Sequence, residues 1–248
     1  MSGHSHWAGI KHKKAANDAK RGKTWSKIAR MIIVAAKNGG DPAANLTLRY
    51  AIDKAKAANM PKDTIEKAIK KGTGDLGGVS YEEILYEGYG PSGVAVMVEA
   101  LTDNRNRTGP EIKRVFEKHG GSLGTTGCVN WMFGKKGLIT VGAANVNEDD
   151  LMELALGAGA DDMQRTGEVF EITCDPSAYE ELKKTLDAKK IPIEVAEISM
   201  VPQNTVEIDN AAVARRVIAM MEAFDDHEDV QNAYANFDIP EEIMADVS

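Results

Sequence analysis

The spacing of apolar residues changes once along this chain, and that change decides what it can fold into. Up to the glycine-rich stretch GTGDLGG, residues 72–78, the period is helical. In GKTWSKIARMIIVAAKNGG, Trp25, Ile28, Ala29, Ile32, Ile33 and Ala36 fall on one face at about 100° per residue, and Lys23, Lys27 and Arg30 fall on the opposite face. Gly39 and Gly40 stop this helix, and Leu48, Ala51, Ile52 and Ala55 repeat the pattern in the next. MPKDTIEKAIKKG predicts a third helix, with Pro61 in its first turn, Asp63 near its positive end and Lys70 and Lys71 at its negative end.

After the glycine-rich link the period becomes that of strands. ILYEGYGPSGVAVMVEAL reads as two β runs around the turn GPSG. NRNRTGPEIKRVFEKHGG reads as a helix, with Thr108 and Glu111 at capping-box spacing and Gly120 as its stop, and GCVNWMF as another strand. A second unit follows: strand 138–141, helix 148–156, a hairpin in DDMQRTGEVFEITC, helix 177–188 and strand 193–200. That order, βαββαβ, is ferredoxin-like. A helix over 213–224 and the strand VQNAYANFDI remain, while the unit at 76–134 lacks a closing helix and strand. The expected fold is α+β with three domains. These are a helical bundle over 1–75, an α/β domain made of 76–134 and 205–248, and a ferredoxin-like α/β domain over 135–204 inserted into it. Both α/β domains are expected to be ferredoxin-like.

Charge separates along the same boundary. Residues 1–75 hold sixteen Lys and Arg against six Asp and Glu, a balance of +10, whereas the remainder carries −18 and the whole chain −8. An acidic protein with one cationic segment suits a polyanionic partner for that segment alone. Lys11, Lys13, Lys14, Lys20, Arg21, Lys23, Lys27 and Arg30 supply donors for phosphate oxygens, with His12 beside them. Arg105 and Arg107 stand just before a predicted helix N-terminus, where backbone N–H groups also attract anions. Trp25 lies on the apolar stripe and reads as core, whereas Trp7 is open to base stacking.

Other chemistries find little support. His4, His6 and His12 lack a companion carboxylate or Cys, and their cationic surroundings repel a metal, so no metal is expected. GGSLGTTG lacks the Gly-Lys-Ser/Thr of a phosphate-binding loop and precedes a strand, so it reads as a mobile loop. No nucleophile elbow or kinase-type loop occurs, so neither an enzyme nor a small-molecule substrate or cofactor is expected. The acidic run AFDDHEDV reads as a solvated loop that keeps the acidic domains off nucleic acid by repulsion. Cys128 and Cys174, far apart in apolar strands, read as reduced thiols. The longest apolar run, MIIVAA, is far below the ~20 residues of a bilayer span, and the start lacks a signal-peptide pattern, so a cytoplasmic protein is expected.

Four stretches closely resemble the YebC family of probable transcriptional regulatory proteins: GHSHWAGIKHKKAANDAKRGKTWSKIAR, NGGDPAANLTLRYAIDKAKAANMPKDTIEKAI, YEGYGPSGVAVMVEALTDNRNRT and GGSLGTTGCVNWMF. The likeness covers essentially the whole chain. It departs at His6, where the family commonly has Lys, and at Trp25, where it commonly has Phe. The resemblance implies a cytoplasmic bacterial protein of three domains with no known enzymatic activity. Bacterial members are described as DNA-binding regulators of transcription. The family also includes a mitochondrial translational activator of cytochrome c oxidase, and some members are linked to the ribosome and to translation through proline runs. Lys-rich contact with a phosphate backbone fits duplex DNA and ribosomal RNA alike, so the partner is DNA or the ribosome.

Overall fold

A computed structural model of the chain describes residues 18–76, 80–144 and 146–247. The first segment forms three helices: α1 Asp18–Ala36, α2 Leu46–Ala57 and α3 Lys62–Gly72. The apolar stripe of α1 becomes the core, with Ile28, Ile32, Ile33 and Ala36 buried against Leu48, Ala51 and Ala55 of α2 and Ile65 and Ala68 of α3. Asn45 joins two helix ends. Its side chain caps α2 by accepting from Leu48 N, and donates to the carbonyls of Ala35 at 2.7 Å and Gly39 at 2.8 Å. Gly72 lets α3 approach α1 closely: a Cβ there would overlap the Ile33 carbonyl oxygen and stand 2.5 Å from the Ala36 methyl. Trp25 packs on this core and donates Nε1–H to the Ala58 carbonyl at 2.9 Å.

Strands β1 Glu82–Tyr89 and β2 Ala95–Thr102 then form a hairpin, followed by α4 Arg105–Lys118 and the two-residue strand β3 Ser122–Leu123. The chain next runs through β4 Phe133–Gly142, α5 Glu148–Gly157, β5 Ala160–Thr166, β6 Val169–Cys174, α6 Tyr179–Ala188 and β7 Ile193–Pro202. These strands form an antiparallel sheet in the order β5-β6-β4-β7, the ferredoxin-like arrangement. The short strand β8 Val206–Glu207 leads to α7 Ala211–Asp226 and β9 Val230–Ala235, and β10 Phe237–Asp238 and α8 Glu241–Val247 end the described chain.

Strand β9 pairs with β2, so the first sheet has the order β3-β1-β2-β9. Here α4 and α7 cover one face of a four-stranded antiparallel sheet, reached through an opening hairpin instead of a βαβ unit. Val96 and Val98 point from β2 into a core with Ile112 and Phe116 of α4 and Val217, Met221 and Phe224 of α7. The Phe116 and Phe224 rings meet edge to face at 4.9 Å. The opposite face holds Ala95, Met97 and Tyr234 against Val129 and Phe133.

Three local expectations are corrected. GCVNWMF does not continue as a strand: residues Asn130–Met132 form a 3-10 turn, because the buried Glu87 carboxylate accepts the N–H groups of Gly127, Val129 and Asn130 at 2.7–2.8 Å. The preceding GGSLGTTG is accordingly tied down, with β3 paired to β1 and Gly124 N–H bonded to the Glu87 carbonyl. The N-cap of α4 is Asn104, which accepts from Arg107 N–H, and Thr108 lies buried inside the helix.

Candidate functional site

Lys11, His12, Lys13 and Lys14 lie outside the described residues, as do His4, His6 and Trp7. Lys20 and Arg21 fall in the first turns of α1, where the backbone is described. The other three cations of that segment, Lys23, Lys27 and Arg30, share one face of α1, and this face meets an acidic surface from the far end of the chain.

That surface is the end of α7 and the turn after it. A helix terminates in carbonyl groups without intrahelical partners and in the negative end of its dipole. Helix α7 places Asp225 and Asp226 there and has no basic residue in its last turn, so its own sequence worsens the electrostatics of that end. Helix α1 supplies the missing cations. Lys27 Nζ donates to the Asp225 carbonyl at 2.6 Å, and Lys23 Nζ reaches the Asp226 carbonyl at 3.4 Å and its carboxylate at 3.5 Å. Arg30 donates to the Glu228 carbonyl and pairs with the Glu228 carboxylate at 3.7 Å and Asp229 Oδ1 at 3.5 Å. The run expected to be a solvated, repelling loop is therefore bound by the molecule's own cationic stripe.

Asp229 is the centre of this network, and it is 2% exposed. Its Oδ2 accepts from Arg107 Nη2 and Thr108 Oγ1, both at 2.7 Å, and from Thr102 Oγ1 at 3.1 Å. Burial opposes its ionisation, but Arg107, Thr108 and Arg30 outweigh burial and hold its carboxyl below the usual carboxylate range. Arg105 and Arg107 sit within the first turn of α4 instead of ahead of it, and the anion that Arg107 meets there is Asp229. Arg105 is exposed. His227 accepts from Asp229 N–H through Nδ1, which leaves Nε2 to donate to Glu111 at 3.1 Å. Glu111, His227 and Asp229 are close enough together to share a cation, but Arg30 and Arg107 already face the Asp229 carboxylate.

A second cationic face escaped the sequence reading. Ile65, Ala68 and Ile69 of α3 turn toward the bundle core, which leaves Lys67, Lys70 and Lys71 exposed on its other side. Among the described residues none of these three has an ion-pair partner, whereas Lys62 pairs with Glu66. The signal was present in EKAIKKG, whose lysines lie opposite its apolar positions at helical spacing. Cys128 and Cys174 are free thiols, the first half-buried and the second buried, and burial pushes both thiols up. Among the described residues no helix is long and apolar enough to cross a membrane.

Family models match nearly the whole chain: the TACO1/YebC protein N-terminal domain over residues 5–75, and the TACO1/YebC second and third domain over residues 81–237. A protein of Syntrophobacter fumaroxidans is 54% identical over 245 residues, covering 98% of both chains. One of Dictyoglomus thermophilum is 54% identical over 250 residues, covering 100% of both. Each of these two carries the name "Probable transcriptional regulatory protein". Among solved structures, a conserved hypothetical protein of Aquifex aeolicus superposes with a TM-score of 0.84 at 51% identity, over 96% of this chain and 99% of its own.

Proposed function

The chain belongs to the TACO1/YebC family, and on that premise we propose that it is a nucleic-acid-binding regulator of gene expression, a DNA-binding transcriptional regulator that acts in the cytoplasm by binding and not by catalysis. The names of its relatives support the regulatory role. The observation that carries the nucleic-acid reading is the cationic bundle on an otherwise acidic molecule, with an exposed face of Lys67, Lys70 and Lys71 outside its apolar core that meets no acid among the described residues. Lys11, His12, Lys13, Lys14, Lys20, Arg21, Lys23, Lys27 and Arg30 add to the cations of the same segment of the sequence, Arg105 is exposed at the start of α4, and Arg107 shares Asp229 with Arg30. Lysines on helix faces act as point charges toward backbone phosphates.

The test is binding of the full chain to duplex DNA and to ribosomes at two salt concentrations, beside the variant K67Q/K70Q/K71Q. Loss of three phosphate contacts on DNA should lower the slope of log K against log salt by about 0.9 for each contact. Binding to ribosomes with none to duplex DNA would replace transcription by translation as the process regulated. Absence of binding to both would end the nucleic-acid reading.

A further inference from the structure

We propose that residues 225–229 form an internal competitor for nucleic acid: they latch the cationic stripe of α1 in the free protein, and duplex DNA displaces them. This rests on the reading that the stripe contacts nucleic acid. The latch presents what a phosphate backbone presents, anionic and carbonyl oxygens. Lys27 donates to it at 2.6 Å, and Lys23 and Arg30 meet its carboxylates more loosely, at 3.5 Å and 3.7 Å. Arg30 has a side chain only 15% exposed, so a nucleic-acid backbone cannot reach it while the latch is in place.

The contact is built to be reversible. The apolar cluster of the bundle and the cluster under α4 and α7 are separate, and what joins α1 to 225–229 is polar. The pairs made by Asp226 and Glu228 are open to solvent, weak and screened by salt, whereas Arg30–Asp229 is buried and is the part of the latch that costs most to release. The carboxylates that would let go are the exposed ones, Asp226 at 63% and Glu228 at 76%. Asp229 stays with its own sheet, held by Thr102, Thr108 and Arg107. Outside 225–229 the bundle makes further hydrogen bonds to the described chain, from Lys37 Nζ to the Tyr81 carbonyl at 3.0 Å and from Tyr50 to Glu180 at 3.1 Å, and these are exposed too. Two opposed electrostatic needs thus set the balance: the end of α7 requires cations, and a denser row of anions outcompetes it for them.

Four full-length proteins decide the matter, each titrated with a short duplex DNA at one salt concentration: the parent, D226N/E228Q, K23Q/K27Q, and the combination of the two. Circular dichroism melts control for folding, which exposed substitutions should leave intact. D226N/E228Q should bind about three- to tenfold more tightly than the parent, the scale set by two exposed ion pairs. Most of that gain should vanish in the K23Q/K27Q background. An equal gain in both backgrounds means general relief of charge repulsion, and overturns the latch. An unchanged affinity for D226N/E228Q, with the parent binding DNA, also overturns the latch and leaves the proposed function standing. No binding by any of the four removes the proposed function, and the latch with it.

Discussion

Two buried carboxylates carry most of the physical chemistry at the scale of single residues, and they are used in different ways. Asp229 faces cations, whereas Glu87 faces backbone N–H groups of Gly127, Val129 and Asn130. Burial alone would raise the Glu87 carboxyl, but the three N–H donors together outweigh it and hold the carboxyl below its usual range. A carboxyl lowered on folding stabilises the protein above its unfolded pKa, and that contribution is lost as pH falls through the folded value. Glu87→Gln keeps the shape but turns an amide NH2 toward N–H donors, at a cost of about 2–4 kcal/mol. In urea melts it should lower stability at pH 7 and flatten the decline of stability below pH ~4 relative to the parent. An unchanged pH profile would show that Glu87 does not ionise the way its surroundings demand. Nothing local in YEGYG marks Glu87 for this role, since its partners lie 40–43 residues further on. The strand expected over GCVNWMF failed for the same reason: its N–H groups had a better acceptor outside the ladder.

Helix α1 shows what a periodic pattern does and does not make legible at the scale of elements. Its apolar and cationic faces were both readable, because each depends only on spacing along one helix. The occupant of the cationic face was not, since Asp226 and Glu228 stand 203 and 198 residues away from the Lys23 and Arg30 they meet. One signal did point there: two acids at the negative end of a helix without a cation in its last turn call for cations from elsewhere. The contacts along α1 are unequal. Asp229 Oδ1 accepts no hydrogen bond among the described residues and faces Arg30 at 3.5 Å, so Arg30→Gln leaves that buried carboxylate with Arg107 as its remaining cation and should cost about 1–3 kcal/mol. The Lys23 side chain is 49% exposed, and Lys23→Gln should cost about 0–1 kcal/mol. Equal effects in thermal melts would contradict this ranking. On the opposite face, Gly72→Ala forces α3 off α1 and should cost about 1–3 kcal/mol, read as a lower melting temperature.

The whole molecule depends on which residues complete which core. The cluster between β4–β7 and α5–α6 draws only on residues between 139 and 196, among them Ile139, Leu151, Phe170, Ile172, Leu182 and Leu186. The cluster under α4 cannot close in the same way. Val217, Met220, Met221 and Phe224 come from α7, and Val230 and Ala233 from β9. We propose on these grounds that 205–248 and 76–134 fold as one domain around an inserted 135–204. A chain of 76–134 alone would leave the paired edge of β2 open and bare Val96, Val98, Ile112 and Phe116 on one side. It should show no cooperative melt. A chain of 135–204 loses the contact of Met200 with the other sheet and the pairing of Phe133 and Gly134 with Pro202 and Val201, but keeps its own core, and should melt cooperatively. Its melting temperature should fall below that of the full chain, because a unit of that size buries a modest fraction of its surface. Calorimetry on the two fragments separates the cases, and a cooperative transition from 76–134 would mean that its core closes without α7. The same topology gives the latch its reach: only because the chain returns after 204 to finish the sheet begun at Glu82 does the end of α7 arrive beside α1.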